Sequence, residues 1–383
     1  MSLRKVIFWL HLIAGAVAGI IILVMSATGV ALAFEKEIIA WAERDVRRVV
    51  PPAAAHRLSV DDLLARVLTA HPEARPTSLL IHSDPGMAPQ ASVSRTNGFY
   101  VNPYTGEARP QGAQGTRAFM LTMIEWHRYL GTRDGSRPTG KAITGAANVA
   151  FCFLALSGLY LWWPRQWTRA SLRAISLFNW NLSGKARDWN WHNVVGLWSA
   201  LILLVVTLTA MPISYKWAGT AIYKLTRTEA PGTVPAVVAA AAPAGSSPLP
   251  YDTLVASVQK EFPQWKQITL RLGSPGDPGA PKAVSFTVKQ SAGAPRFAIA
   301  QLSLHPFTGE VLRAERYADY NLGRRVRSWT RFLHTGEALG PAGQFVAGVA
   351  SLGGVVLVYT GLALAVRRFL RRNKPEADAA ASR

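Results

Sequence analysis

The stretch HLIAG at residues 11–15 recurs as HNVVG at residues 192–196, and each copy lies at the start of a long apolar run. In both copies a threonine follows the histidine after seventeen residues, at Thr28 and Thr209. A match that includes a histidine, a glycine and a threonine indicates two copies of one unit. We therefore expect equivalent residues of the two copies to lie at the same depth of the fold.

Four apolar runs dominate the chain, at residues 6–34, 143–163, 194–215 and 342–366. Each is close to the roughly 20 residues that a membrane-spanning helix needs. A signal peptide is the alternative for the first run, because ALA at 31–33 resembles a cleavage site. Signal h-regions have only about 7–15 residues, however, so we interpret this run as an uncleaved span. The sequence predicts an α-helical membrane protein with four transmembrane helices.

The chain of 383 residues has a formal net charge of +20. Such a charge is typical of nucleic-acid binding or of contact with an anionic surface, but the basic residues form no continuous stripe, which argues against nucleic acid. They concentrate instead before span 1, between spans 2 and 3, and after span 4, which places both termini in the cytoplasm. The single cysteine, Cys152, lies in span 2, so the two long external loops have no disulfide.

The two external loops also repeat each other. NPYTGE at 102–107 matches HPFTGE at 305–310, and both segments have the composition of turns. In the first loop Ser59 is a predicted helix N-cap, and strands are predicted at 77–82, 91–95 and 98–101. The second loop has predicted strands at 267–272, 283–289 and 297–304. Each loop is therefore predicted to form a small α+β module with one helix against a short antiparallel sheet.

These observations divide the whole chain. The predicted parts are a first span at 1–34, a module at 35–118, an interfacial helix with the second span at 119–163, a cytoplasmic loop at 164–191, a third span at 192–217, a linker and second module at 218–323, an interfacial helix with the fourth span at 324–368, and a cytoplasmic tail at 369–383. The linker, at 229–250, is rich in alanine, proline and glycine.

A parallel repeat of this kind packs around a pseudo-twofold axis along the membrane normal. Residues at equivalent positions then face each other at equal depth. The axis predicts that His11 pairs with His192 near the cytoplasmic face, and that His127 pairs with His334 near the external face. The other four histidines, in the loops, have no histidine counterpart in the other copy: His56, His71, His82 and His305.

Two neutral imidazoles on opposite sides of a porphyrin hold low-spin haem iron for electron transfer. Gly15 and Gly196 lie one turn after their histidines, on the same helix face, where a flat macrocycle needs space. Zinc fits less well because it takes four close ligands, and the chain has no CxxC or HExxH motif. A nucleotide fingerprint and a credible catalytic Ser-His-Asp set are also absent from the sequence.

Near the second pair, four residues are candidates for contact with haem propionates or with a docked substrate: Trp126, Arg128, Trp329 and Arg331. Arg324, Arg325 and Arg327 are further candidates for neutralising propionates. For the arginines the alternative is contact with lipid headgroups, and for any lone histidine at the end of a span it is an ordinary hydrogen-bonded role.

The H-x3-G spans, the Pro-x-Thr-Gly-Glu turns and the Trp-His-Arg at 126–128 resemble the PepSY-associated transmembrane family over nearly the whole chain. Its members are iron-regulated bacterial inner-membrane proteins. The resemblance implies PepSY-like external modules, two b-type haems and His11, His127, His192 and His334 as ligands. Within the family, the four-span form with two modules and no fused reductase domain is most similar to the ferrioxamine reductases. That similarity implies electron delivery to a ferric siderophore in the periplasm.

The resulting hypothesis is transmembrane electron transfer from a cytoplasmic or quinol donor to a ferric siderophore. No flavin or nicotinamide site is visible in the sequence, so the donor is a separate molecule. Two other hypotheses remain open. One is a non-redox protein that binds a peptide or a protease through its modules, and the other is a haem protein that supplies electrons to another periplasmic oxidoreductase.

Overall fold

The computed structural model describes residues 2–53, 56–94, 96–164, 166–231, 246–272, 283–291 and 295–372. Most of the linker predicted at 229–250 lies outside these residues, as do Arg165 and the predicted tail beyond residue 372. The chain divides into two compact units. We call them the helical unit (residues 1–34, 120–222 and 326–383) and the sheet unit (residues 35–119 and 223–325).

The helices of the described residues are α1 (Leu3–Leu32), α2 (Glu35–Ala42), α3 (Arg44–Arg47), α4 (Val60–Ala70), α5 (Gln114–Tyr129), α6 (Arg137–Trp162), α7 (Arg169–Ser176), α8 (Gly184–Ser214), α9 (Lys216–Thr226), α10 (Tyr251–Glu261), α11 (Leu322–His334) and α12 (Gly340–Arg372). The strands are β1 (Ser78–His82), β2 (Gln90–Ser92), β3 (Gly98–Val101), β4 (Ala108–Pro110), β5 (Trp265–Arg271), β6 (Val284–Gln290), β7 (Ala300–Leu304) and β8 (Val311–Glu315). Short 3-10 turns occur at Asp134–Ser136, Tyr317–Asp319 and Glu337–Leu339.

Within the part of the chain that the structure describes, four helical stretches are long and apolar enough to cross a membrane, at residues 3–32, 134–162, 184–214 and 337–369. They correspond to the four predicted spans. The helix of the third span, α8, begins at Gly184 rather than at the predicted position 192. Its first turns are polar and include Lys185 and Asp188, so apolar composition alone does not mark where the helix begins.

The four long helices pack as a bundle in which α1 and α8 both contact α6 and α12. Small residues allow the helices to approach closely, as expected in an apolar environment. A Cβ atom at Gly353 would lie 3.0 Å from Ser199 Cβ. Buried polar side chains join neighbouring helices, since Asn148 Nδ2 donates to the Thr207 carbonyl at 3.0 Å and Gln344 Nε2 donates to the Ala33 carbonyl at 3.0 Å.

The described residues of the sheet unit form one eight-stranded antiparallel sheet in the order β4-β3-β2-β1-β5-β6-β7-β8. This corrects the prediction of two separate modules, because β1 of the first loop pairs directly with β5 of the second. The pairing runs from Ser78 opposite Arg271 to His82 opposite Gln267. The edge strands β4 and β8 were not predicted. In β4 only three residues are strand, and its last residue is Pro110, which cannot donate a ladder hydrogen bond.

One apolar core covers one face of this sheet. Helices α4 and α10 contribute to it, and its fully buried side chains include Val67, Leu79, Phe262 and Phe286. Burying a side chain of this size stabilises a fold by about 1.5–3 kcal/mol. The core therefore explains how the loops hold together without a disulfide.

The two predicted Pro-x-Thr-Gly-Glu turns are present and use glycine at positive φ, +75° at Gly106 and +71° at Gly309. Asn102 Oδ1 accepts the backbone N–H of Tyr104 at 2.9 Å. His305 takes the same role in the second turn, because its Nδ1 accepts the Phe307 N–H at 3.2 Å. His305, one of the four unmatched histidines, therefore has a local structural role.

A buried ion pair lies on the first half of the sheet unit. Arg117 donates to the carboxylate of Glu43 through Nε at 2.5 Å, and the Tyr100 hydroxyl donates to the same carboxylate at 2.9 Å. The Glu43 side chain is fully buried, so removing Arg117 would leave a costly uncompensated charge. Burial raises the pKa of Tyr100 to about 12, which keeps its hydroxyl a donor at neutral pH.

Candidate functional site

The structure brings His11 of α1 and His192 of α8 together inside the helical unit. Their ring centres are 6.4 Å apart and the ring planes are inclined at 86°. Both residues lie within membrane-spanning stretches, where an ionisable side chain is costly and normally functional. Because α1 and α8 each pack on α6 and α12, the two imidazoles approach each other across the bundle.

The hydroxyl groups of Ser157 and Thr360 orient these two imidazoles. His11 Nδ1 lies 2.8 Å from Ser157 Oγ, and His192 Nδ1 lies 2.9 Å from Thr360 Oγ1. Ser157 donates its hydroxyl proton to the carbonyl of Phe153 at 2.7 Å, and Thr360 donates to that of Val356 at 2.7 Å. Each oxygen is then left to accept from an Nδ1–H. The assigned tautomer leaves a lone pair on Nε2 of both histidines.

His127 of α5 and His334 of α11 form a second pair, with ring centres 6.3 Å apart. His127 Nδ1 lies 2.9 Å from the Met25 carbonyl and 3.0 Å from Thr28 Oγ1. His334 Nδ1 lies 2.9 Å from the Val206 carbonyl. A carbonyl oxygen only accepts, so both Nδ1 atoms carry the proton and both Nε2 atoms carry a lone pair.

This geometry suits one metal ion between each pair of imidazoles. Two metal–imidazole bonds of about 2.0–2.1 Å in line place the ring centres about 6.3 Å apart. The separations in the structure are 6.4 Å and 6.3 Å. No group of three or more potential ligands among His, Cys, Asp and Glu occurs in the described residues, so a metal here needs its other ligands from a cofactor. The planar nitrogen ligands of a porphyrin meet that need.

A cavity of about 810 Å³ surrounds the first pair and is lined by both His11 and His192. Pockets for cofactors commonly measure about 300–1,000 Å³. Glycines line it on each of the four long helices, at Gly15, Gly158, Gly196 and Gly361. A Cβ atom at Gly158 would lie 3.5 Å from His11 Cε1, and one at Gly361 would lie 3.3 Å from His192 Cε1. The cavity therefore combines two histidines with apolar helix faces on which glycines lie close to the imidazole rings.

Basic residues line one end of this cavity: Arg4, Lys5, Lys185 and Arg368. None of the described residues that line it is acidic. Arg4 is held by the Leu161 carbonyl, to which its Nη2 donates at 2.6 Å. Arg368 lies over the ring of Phe8, 5.0 Å from its centre. The cavity therefore suits a ligand that has an apolar body and anionic substituents at one end. Haem, with its two propionates, is such a ligand.

The candidates predicted near the second pair lie on the same helices as its histidines. Trp126 and Arg128 flank His127 and are exposed, and successive helical residues do not share a face. Arg331 precedes His334 by almost one turn and is also exposed, whereas Trp329 is half-buried. Arg324 and Arg327 have other partners in their own units, the Glu315 carboxylate and the Pro212 carbonyl.

Sequence reasoning did not identify Ser157, Thr360 or the basic residues at the end of the cavity. A signal for the first two was present, because SGLYL at 157–161 recurs as TGLAL at 360–364. In both copies a hydroxyl residue and a glycine precede an apolar run. The structure places this hydroxyl on the histidine and the glycine against its ring.

The model of the PepSY-associated TM region family matches residues 8–368. The chain belongs to this family. The match covers most or all of each of the four long helices and includes the four paired histidines, so the chain is a multi-pass membrane protein of the PepSY-associated TM family. No curated protein matches it significantly.

Proposed function

We propose that this PepSY-associated TM protein is a di-haem b electron-transfer protein that reduces the ferric iron of a siderophore in the periplasm. The proposal rests mainly on the hydrogen bonds and the pairwise arrangement of the four histidines. In each pair the Nδ1 atoms are held by hydrogen bonds, which leaves the Nε2 lone pairs to bind a metal, and the ring centres lie 6.4 Å and 6.3 Å apart. Such bonds to the outer nitrogen are the usual means of orienting a ligand histidine.

In the proposed arrangement the chain lies in the bacterial inner membrane, with both termini in the cytoplasm and the sheet unit in the periplasm. The charge distribution supports this orientation. The basic end of the cavity, with Arg4 and Lys185, then lies at the cytoplasmic surface. The two copies of the repeat are related by a pseudo-twofold axis along the membrane normal, which brings the histidines together as pairs.

Each part of the chain has a defined task in this function. Bound haem supplies one-electron chemistry at iron without an open coordination position. The histidines fix its position, the hydroxyls of Ser157 and Thr360 keep Nδ1 protonated, and the apolar helices exclude water. Arg4, Lys5, Lys185 and Arg368 neutralise the propionates at the first site, and Arg128 and Arg331 are the candidates at the second.

The proposed substrate is a ferric chelate with oxygen ligands. Fe(III) is the harder ion and binds such ligands much more tightly than Fe(II), so one electron releases the metal. The electron comes from a cytoplasmic protein or from a quinol. Trp126 and Trp329 are candidates for a docking surface near the second pair.

An absorbance spectrum of the purified protein tests the cofactor. The expected result is a reduced b-type haem spectrum with about two haems per chain, as four histidine ligands in two pairs imply. His11→Ala and His192→Ala should abolish one common haem signal, and His127→Ala and His334→Ala should abolish the other. His56→Ala is the matched control, since His56 is exposed and should leave both signals intact. A folded, colourless protein would refute the haem assignment and favour a module that binds peptides.

Oxidation of the reduced protein tests the substrate. Protein reduced with dithionite and freed of excess reductant is mixed with ferrioxamine B and a ferrous-iron indicator. Haem reoxidation with stoichiometric formation of Fe(II) is expected. Reduced haem that stays reduced in the presence of the chelate would refute siderophore reduction. Electron supply to another periplasmic oxidoreductase would then be the better hypothesis.

A further inference from the structure

Phe151 lines the cavity of His11 and His192, as do Ile22 and Leu203. It precedes Ser157 by six residues in α6, which corresponds to about 9 Å along the helix axis. Met25, whose carbonyl holds His127, follows His11 by fourteen residues in α1, or about 21 Å. Because Ser157 contacts His11, Phe151 lies at an intermediate depth between the two histidine pairs.

The ring of Phe151 reaches across the bundle to α12. Its Cζ atom lies 3.3 Å from the position that a Cβ atom at Gly354 would occupy. Gly354 precedes Thr360 by six residues, just as Phe151 precedes Ser157. The two residues therefore hold equivalent places in α6 and α12, and only one of them has a side chain. A single ring fills a space that two rings could not share.

The surroundings of Phe151 are apolar. It packs against the buried cluster of Ala18, Ile22 and Ala147, together with Met25. The same cluster thus contacts the cavity of the first histidine pair and includes the residue whose carbonyl holds His127 in the second. A polar atom, Ser26 Oγ, lies nearby, 2.7 Å from the Cβ position at Gly354. Removal of the ring would open an apolar space next to this hydroxyl.

From these contacts we infer that Phe151 is the apolar partition that closes the deep end of the first cofactor site and separates it from the second. The inference rests on the proposed di-haem function for its redox consequence but not for its packing. An apolar shell controls solvent access and local dielectric, and through them the reduction potential of a metal site. Phe151 keeps water out of the space between the two centres, so that each retains its own potential.

The packing is tested without reference to haem. Crystals of the whole protein and of the Phe151→Ala variant are compared under xenon pressure, because dry cavities of side-chain size bind xenon. A xenon or ordered water molecule next to Gly354 and Ser26, in the variant alone, is expected. Collapse of the neighbouring side chains into an equally closed core would overturn the inference. The xenon result does not depend on whether the protein contains haem. A colourless protein would therefore refute the proposed function, while the crystals would still test the packing role of Phe151.

The redox consequence is tested by spectroelectrochemical titration. Phe151→Ala should shift the midpoint potential of the His11–His192 haem to a lower value, because entering water stabilises the charged ferric state. Phe151→Leu keeps an apolar side chain and should retain the potential of the unmodified protein. Equal shifts in both variants, or no shift in either, would overturn the partition.

Discussion

Asp61 and Asp252 each bind the N-terminus of the helix that carries the other. Asp61, in the first turn of α4, accepts the backbone N–H groups of Tyr251 and Asp252 at 3.1 Å each. Asp252, in the first turn of α10, accepts the N–H of Val60 at 2.9 Å. Exposed N–H groups at a helix start need such acceptors, so the two loops of the chain complete each other at this point.

Helices α4 and α10 depend to different degrees on these two aspartates for capping, and mutation can measure the difference. Helix α4 also has its own cap, since Ser59 Oγ accepts the Asp62 N–H at 2.9 Å, whereas Pro250 gives α10 no side-chain cap. Asp61→Ala should therefore destabilise the sheet unit by about 1 kcal/mol, and Asp252→Ala by less. Hydrogen exchange checks this: amide exchange at residues 251–252 should accelerate in Asp61→Ala, and exchange at Val60 in Asp252→Ala. Faster exchange at both sites in either single variant would mean that the caps do not act locally.

In the proposed di-haem protein, the hydroxyl groups that hold the histidines should affect how tightly haem is bound. Ser157→Ala removes the acceptor of the His11 Nδ1–H and should lower haem affinity by about 10–100-fold. Thr28→Val should have a smaller effect, because the Met25 carbonyl still holds His127. Ser199→Ala is the control, since Ser199 donates to the Val195 carbonyl of its own helix. Haem loss to apomyoglobin gives the measurement, and equal loss from all three variants would exclude an orienting role for Ser157.

In the proposed di-haem protein, the basic end of the cavity should raise the midpoint potential of the haem held by His11 and His192. Lys185→Gln removes a positive charge that disfavours the ferric state, so the midpoint potential should fall. The fall should shrink at high salt, because exposed charges are screened. Lys141→Gln is the matched control, since Lys141 is exposed and does not line the cavity. A potential titration at low and high ionic strength distinguishes the two variants. Identical midpoint potentials in Lys185→Gln and Lys141→Gln would show that Lys185 does not affect the haem.

Acid should weaken the sheet unit through His82. Burial first, and the charge of Arg47 second, lower the pKa of His82 from 6.5 to about 4. Between these pH values the unfolded chain binds a proton that the folded chain does not, so stability falls as pH falls from 6.5 to 4. Above 6.5 this contribution is fully present. Unfolding measured in wild type and in His82→Gln should show a steeper loss in the wild type over this window. Parallel curves would show that His82 does not contribute.

The spans, the family and the spatial pairing of the histidines were accessible from the sequence. Long apolar runs leave few alternatives to spanning helices, and the matched HLIAG and HNVVG segments link His11 to His192. The structure places those two rings side by side, while their role as haem ligands stays a prediction. The hydroxyl partners, Ser157 and Thr360, were not predicted, because the repeat of SGLYL as TGLAL does not by itself show that these side chains face the histidines.

The joined sheet was not accessible in the same way. Local composition predicted strands near β1 and β5, but the pairing of Leu79 with Leu270 joins residues far apart in the chain. No turn between them fixes the order or the register. The edge strands were missed because β4 is short and ends in proline, and β8 contains Arg313. Such features protect edges against further pairing, and they also hide a strand from sequence analysis.

The five residue pairs between β1 and β5 also affect how the protein can be made. In the intact chain neither strand is an edge, and the two true edges are protected by Pro110 and by Arg313. Either half produced alone would expose a bare strand with unpaired backbone groups, which is a template for aggregation. Each half therefore covers the open strand of the other. If the gene were split in two, we expect soluble protein only when both halves are synthesised together.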